Sequence, residues 1–348
     1  MLCLSTLTRG SLSFPRYLVV TLIAYAVLLS TNPSQAASPP TRVAIAYPNP
    51  TPRVAPLWIA QELDFFGKYG LRAQVVLVRN NQMLSAGLAA GDIEFGYTGG
   101  TTVLGAAAAG VELKMVLGFV SRGPCFLVTR PDIKKPGDLA GKRFGVQSIG
   151  GTVWMYAMLT LEHLRLDPTR DRIQFMIIGD QAMLVRALES HVVDGMVLTS
   201  RAYSVALRQK GFNVLAEVAP PMSSTGIVTR KGFLEKNPET LTNVMRALIE
   251  AEYYVLAPRG KPQVIRTIMN RLKLSDLSFA EEGYADVIKD LDPKPYPSLE
   301  GVRNMQRLMA TLNPKLADVN AASLVDSTFI RKLEESGFIA QLQASYRE

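Results

Sequence analysis

At 348 residues, with 48% apolar and 20% charged side chains, the chain has room for two modest domains with cores of their own. Thirty-eight Lys and Arg against 30 Asp and Glu give a formal charge of +8, yet no basic run exceeds two residues and none alternates with aromatics, so nothing supports a nucleic-acid partner. There are two cysteines, and Cys3 lies in the first stretch, so Cys125 alone cannot form an intramolecular disulfide in the remainder.

The first stretch reads as an export signal. Arg9 and Arg16 precede an apolar run over 17–29, broken only by Thr21, and Ser34-Gln35-Ala36-Ala37 follows as a small-residue cleavage site. The run is short of the ~20 apolar residues that span a bilayer. The expectation is a signal peptide over 1–36, cleaved near Ala36/Ala37, and a periplasmic product carrying about six surplus positive charges. No Cys follows the run to take a lipid. Cys125, on an apolar stretch, reads as a small buried hydrophobe.

Beyond the leader, strand and helix signals alternate. Residues 43–47 form a short strand closed by Pro48-Asn49-Pro50-Thr51-Pro52, and Leu57, Trp58, Leu63 and Phe66 then follow helical spacing. Strands are expected at 73–78, 93–97 and 113–120, with helices over 82–90 and 106–110 between them. The series then repeats: strands at 144–147, 173–178, 195–198 and 214–218, helices from Trp154 to Leu164 and over 182–188. Sliding the sequence by one hundred residues aligns 41–47 with 141–147, 72–78 with 172–178, and Met83-Leu84 with Met183-Leu184. So long a period means two lobes of similar α/β build rather than a solenoid. Continuous apolar strands separated by helices indicate parallel pairing. Cys125–Arg130 echoes Thr225–Arg230, and the two read as strand-like crossings between lobes. The rest is helical. Asn237-Pro238-Glu239 places a cap, a first-position proline and a first-turn acid ahead of a helix, and further helices are expected over 262–272, 279–291, 299–312 and 329–342.

Four motifs give this series a family likeness: Ala55–Ala60 leading to Phe65-Phe66-Gly67-Lys68-Tyr69-Gly70-Leu71; Leu84 to Gly96 with Ala89-Ala90-Gly91-Asp92-Ile93; Pro136-Gly137-Asp138-Leu139-Ala140-Gly141-Lys142; and Val193-Asp194-Gly195. Together with Phe233–Glu239 they resemble the periplasmic solute-binding proteins of ABC importers, within the nitrate/sulfonate/taurine-type group that includes thiamine-precursor binding proteins. The resemblance implies a type II two-lobe periplasmic binding protein fold, with parallel-rich sheets flanked by helices and two hinge crossings. It divides the chain into lobe one over 37–128, lobe two over 129–221, and a return to lobe one with C-terminal helices over 222–348. It also implies a ligand held between lobes by a monomer that serves an ABC permease with a separate ATPase subunit. The chain has no Gly-Lys-Ser/Thr phosphate loop of its own.

In open α/β sheets ligands sit beyond the carboxyl ends of the strands. Here those ends carry Tyr47, Asn49, Asn81, Tyr97, Thr98, Gly99 and Arg122 in lobe one, and Ser148, Gly150, Gly151, Thr152, Asp180, Thr199 and Ser200 in lobe two. The segment 148–152 is the sharpest. Two glycines let backbone approach a ligand, and the helix that follows offers unpaired N–H groups and the positive end of its dipole to an anion. The bland alternative is a capped helix start. Trp154 either walls an organic ligand or fills the core, Arg122 either neutralises an anion or faces solvent, and Asp180 favours a cationic or hydrogen-bond-donating ligand. His163 and His191 join no catalytic or metal-ligand set, so no enzyme activity, metal or cofactor is expected. The expected function is capture of a small anionic organic solute, such as a sulfonate, or of nitrate or a carboxylate. The alternatives are a pyrimidine or thiamine-precursor binder or enzyme of the same fold, and a ligand sensor for a membrane receptor.

Overall fold

A computed structural model describes residues 39–347, and the expected signal peptide and its cleavage site lie outside them. Among the described residues, ten strands form two five-stranded sheets. The first takes β1 (Thr41–Tyr47), β2 (Leu71–Leu77), β3 (Phe95–Thr98), β4 (Leu113–Val120) and β10 (Thr225–Arg230) in the order β2-β1-β3-β10-β4. The second takes β5 (Cys125–Thr129), β6 (Arg143–Val146), β7 (Gln174–Ile177), β8 (Gly195–Leu198) and β9 (Asn213–Val218) in the order β7-β6-β8-β5-β9. The sheets are copies in topology, as the hundred-residue repeat requires. In each, the strand after the first helix pairs in parallel with the strand before it.

The structure corrects one part of the sequence reading. The echoing segments expected to be crossings are β5 and β10, each inserted antiparallel between two strands of its sheet. Their side chains are buried on consecutive positions, which is the pattern of a strand covered on both faces. The crossings are the short flanking segments 121–124 and 219–224, rich in Pro, Ser and Gly, where proline has no N–H to extend a ladder. The chain therefore leaves the first sheet at Val120 and enters the second at Cys125. Cys125 is fully buried with Sγ 3.3 Å from Thr160 Oγ1, and burial pushes its thiol up to about 12.

Helices fill the connections. In lobe one these are α1 (Ala55–Glu62), α2 (Phe65–Lys68), α3 (Asn81–Ala90) and α4 (Gly100–Ala108); in lobe two, α5 (Thr152–His163), α6 (Gln181–Glu189) and α7 (Arg201–Gln209). Then come α8 (Lys231–Lys236), α9 (Pro238–Leu256), α10 (Lys261–Leu272), α11 (Leu277–Asp290), α12 (Leu299–Ala310), α13 (Thr328–Glu335) and α14 (Phe338–Ser345). The last two were expected as one helix, and Gly337 divides them at φ +79. Helix α9 starts as its sequence suggests, with Pro238 in its first turn and Glu239 after it. Asn237 does not cap it, because its amide donates back to Phe233 O at 3.2 Å. Leu241, Val244, Leu248 and Ala251 of α9 are fully buried in the same core as Leu57, Trp58 and Ile59 of α1. Truncating such a leucine to alanine costs about 2–5 kcal/mol.

Helix α11 does more than return to lobe one. It packs on α7 of lobe two and on the 3-10 turn Pro52–Val54 of lobe one, so it bridges the lobes beside the crossings.

Candidate functional site

The strand ends of the two lobes face one another across a cleft with an inner and an outer part. The inner cavity, about 320 Å³, is lined by Arg53, Tyr97, Thr98, Tyr156, Thr199, Ser200, Tyr203 and Phe279 and closed at its hinge end by Ser224 and Thr225. The outer groove, about 910 Å³, runs along 79–82, Thr101 and 148–152. The two adjoin at Asn49, Gln147, Thr152 and Asp180. There Gln147 Nε2 donates to Asn49 Oδ1 at 2.7 Å, a direct tie between lobe two and lobe one.

Of the residues singled out from sequence, Asn49, Tyr97, Thr98, Thr152, Asp180, Thr199 and Ser200 line the inner cavity, and Asn81, Ser148, Gly150 and Gly151 line the outer groove. Four lie elsewhere. Tyr47 packs edge-on against Trp58 in the core of lobe one at 6.1 Å. Trp154 is 3% exposed and turns its ring toward Phe175 of β7. Arg122 points to solvent and pairs with Glu300 at 3.4 Å. Gly99 lies under the second crossing, where a Cβ would come within 2.4 Å of Ser224 O, so its missing side chain serves the hinge. Asp180 lines the cleft but also caps α6, accepting from Met183 N at 2.9 Å, as Asn80 does for Met83 in the other lobe.

At 148–152, Gly150 adopts φ +76, which a side chain would strain. Gly151 N donates to Ser148 O at 3.3 Å, and Gly151 is the N-cap of α5 with no side chain capping the helix. The first-turn N–H groups of α5 are therefore left to a ligand or to water.

The sequence reading brought out Ser200 but missed Tyr156 and Arg53, which line the inner cavity with it. Tyr156, on α5, is fully buried, and its hydroxyl has no hydrogen-bond partner. A polar side chain beside it is Ser224, whose hydroxyl donates to Val120 O at 3.2 Å and lowers the Tyr156 phenol against the effect of burial. Burial pushes the Tyr156 phenol above its ordinary range, with Arg53 pulling the other way. Ser200 Oγ is likewise buried and unpartnered, and so is Thr101 Oγ1 on the outer groove. An unpaired buried hydroxyl costs about 1–3 kcal/mol, and those of Tyr156 and Ser200 belong to side chains that line the inner cavity.

Arg53 forms part of the cavity floor. Its Nε and Nη2 donate to Asp290 Oδ2 at 2.9 and 2.6 Å, and Nη2 also reaches Pro124 O at 3.2 Å. The Asp290 carboxyl is raised by burial and held back by Arg53. One turn earlier on α11, Asp286 Oδ2 accepts from Arg201 N at 2.6 Å and so caps α7 of lobe two. Burial raises the Asp286 carboxyl to about 6. In the sequence Arg53 is visible only as a base after a proline-rich turn at a strand end, which is the one signal that could have found it.

The profile of the NMT1/THI5-like family matches residues 51–259. The taurine-binding periplasmic protein of Escherichia coli is 30% identical over 206 residues, which span 56% of this chain and 61% of that relative's length. Among solved structures, a putative periplasmic sulfonate-binding protein from Methylobacillus flagellatus superposes with a TM-score of 0.70 at 18% identity, covering 86% of this chain and 96% of that one. The alkanesulfonate-binding protein of Xanthomonas axonopodis, bound to MOPS, gives 0.64 at 19% identity, covering 84% and 100%. These structures share the periplasmic binding protein fold with this chain.

Proposed function

From a chain that belongs to the NMT1/THI5-like family, we propose that its interlobe cleft captures a small anionic organic solute and delivers it to an ABC permease driven by a separate ATPase. The observation that carries this reading is the inner cavity, where two buried hydroxyls, Tyr156 and Ser200, have no protein partner. They lie within one lobe-to-lobe space with Arg53 and the uncapped start of α5. In this reading the two hydroxyls and the first-turn N–H groups of α5 serve as donors to an acceptor. Arg53, whose Nε and Nη2 are held by Asp290 and Pro124, adds positive charge beside them. That is the requirement for holding a sulfonate or carboxylate without a metal. A solute that pairs with them binds both lobes at once, which favours the closed arrangement already tied by Gln147 and Asn49. The crossings 121–124 and 219–224 are the segments that flex. The named relatives are binding proteins, and this reading assigns no turnover to the cleft. In this reading the leader expected over 1–36 exports the chain.

The test is a thermal-shift screen of the mature chain against taurine, alkane- and arylsulfonates, nitrate, carboxylates, pyrimidines and amines. Mass spectrometry of each incubated solute accompanies it. A ligand at about a hundredfold its Kd stabilises by about 2.7 kcal/mol, enough to move the melting point. Stabilisation confined to anions, each recovered unchanged, is the expected result. Stabilisation by amines or pyrimidines alone, or chemical conversion of a solute, would overturn the proposal.

A further inference from the structure

We infer that the inner cavity selects a solute with an aromatic body, and that Tyr203 and Phe279 are the residues that make the choice; the inference rests on the solute-capture reading above. A volume of about 320 Å³ falls at the lower end of the ~300–1,000 Å³ typical of pockets for organic ligands. An inorganic oxyanion that paired with Tyr156 and Ser200 would leave most of that space to water against apolar walls. The wall itself has a specific build. Tyr203 of α7 and Phe279 of α11 both line the cavity, and their rings meet edge to face at 4.7 Å and 71°. Neither ring is fully buried, so each keeps surface that the other does not cover. Leu272, Leu274 and Val153 extend the apolar lining. The unpaired hydroxyls of Tyr156 and Ser200 belong to the same cavity. The cavity thus offers hydrogen bonds to a polar head and an aromatic edge to a flat apolar body, the geometry in which aromatic rings gain beyond simple burial. Because Tyr203 comes from lobe two and Phe279 from the helix that bridges to lobe one, a ring bound there contacts both sides of the closure.

The experiment is calorimetric titration of the mature chain with benzenesulfonate, methanesulfonate and nitrate, for the wild type, Phe279→Ala and Tyr203→Leu. Phe279→Leu is the fallback that keeps the packing of α11 on α7. The expected result is that benzenesulfonate binds at least roughly tenfold tighter than methanesulfonate, and that each variant weakens benzenesulfonate about three- to tenfold while leaving methanesulfonate within about twofold. Methanesulfonate or nitrate binding as tightly as benzenesulfonate would overturn the inference and leave the capture reading standing. Equal losses for both sulfonates would assign the aromatic pair to helix packing alone, with the same consequence. No binding of any of the three would overturn the inference and the capture reading together.

Discussion

Replacing Tyr156 by Phe separates a group that serves the fold from one that serves a ligand, because the two roles predict opposite signs. The hydroxyl is fully buried without a partner, so the empty protein bears a desolvation cost of about 1–3 kcal/mol for it. Deleting the oxygen leaves a ring of nearly the same volume and removes that cost. The unliganded Phe variant should be about 1 kcal/mol more stable, a rise of roughly 1–2 °C in melting point for a chain of this size. The complex, in contrast, loses a hydrogen bond. At about 0.5–1.5 kcal/mol net, the variant should bind its solute three- to tenfold more weakly. Melting curves of the unliganded protein and a calorimetric titration with benzenesulfonate read the two quantities. A melting point that falls would show the hydroxyl paired within the protein. An unchanged affinity would show that the solute lies elsewhere, and either result refutes the reasoning.

Three further perturbations test neighbouring parts of the account. Gly151→Val places a branched side chain at the start of α5, where a Cβ already comes within 2.4 Å of Ser148 Oγ; titration should show solute affinity reduced at least about tenfold if the helix start holds the anion, and unchanged affinity would remove it from the site. Glu252, fully buried in α9 with neither carboxylate oxygen paired, is held well above the usual carboxylate range by burial. The folded chain therefore keeps a proton that the unfolded chain releases, and stability falls as pH rises above the unfolded value. Urea unfolding across pH should find Glu252→Gln matching the wild type below about pH 4 and increasingly more stable toward neutrality. Asp286, raised to about 6 by burial, has the same sign over a bounded window. Asp286→Asn should be near neutral at pH 4 and gain on the order of 2 kcal/mol above pH 6, since the amide oxygen can still cap Arg201 N; a loss at every pH would mean that the charge itself secures α7.

Much of the fold was legible because its signals are local or periodic. The hundred-residue repeat anticipated two sheets of one topology, and consecutive apolar positions marked the strands. The destination of Cys125–Thr129 was not legible, since an apolar run states that a strand is covered and not which sheet covers it. At the site, the strand-end rule brought out the polar residues that approach the cleft along the backbone. It failed where helix phase decides. Trp154 and Tyr156 lie two positions apart on α5 and so project to different sides, the first against Phe175 and the second into the cavity. Phe279 and Asp286 come from a helix more than a hundred residues beyond the first lobe-one strands, and no local pattern could place them beside Tyr203 and Arg201. Arg122, for which the sequence left both an anion partner and a solvent position open, follows a strand end but leads into a crossing on the solvent side and pairs with Glu300.

The central claim is that one solute occupies the space between the lobes and is held by both. Small-angle X-ray scattering of the mature chain measures this most directly, with and without saturating benzenesulfonate, for the wild type and Tyr156→Phe. The account predicts a smaller radius of gyration with ligand, the variant needing severalfold more solute for the same change. A radius that does not respond to a ligand shown by calorimetry to bind would contradict closure, and a response identical in the variant would contradict the site.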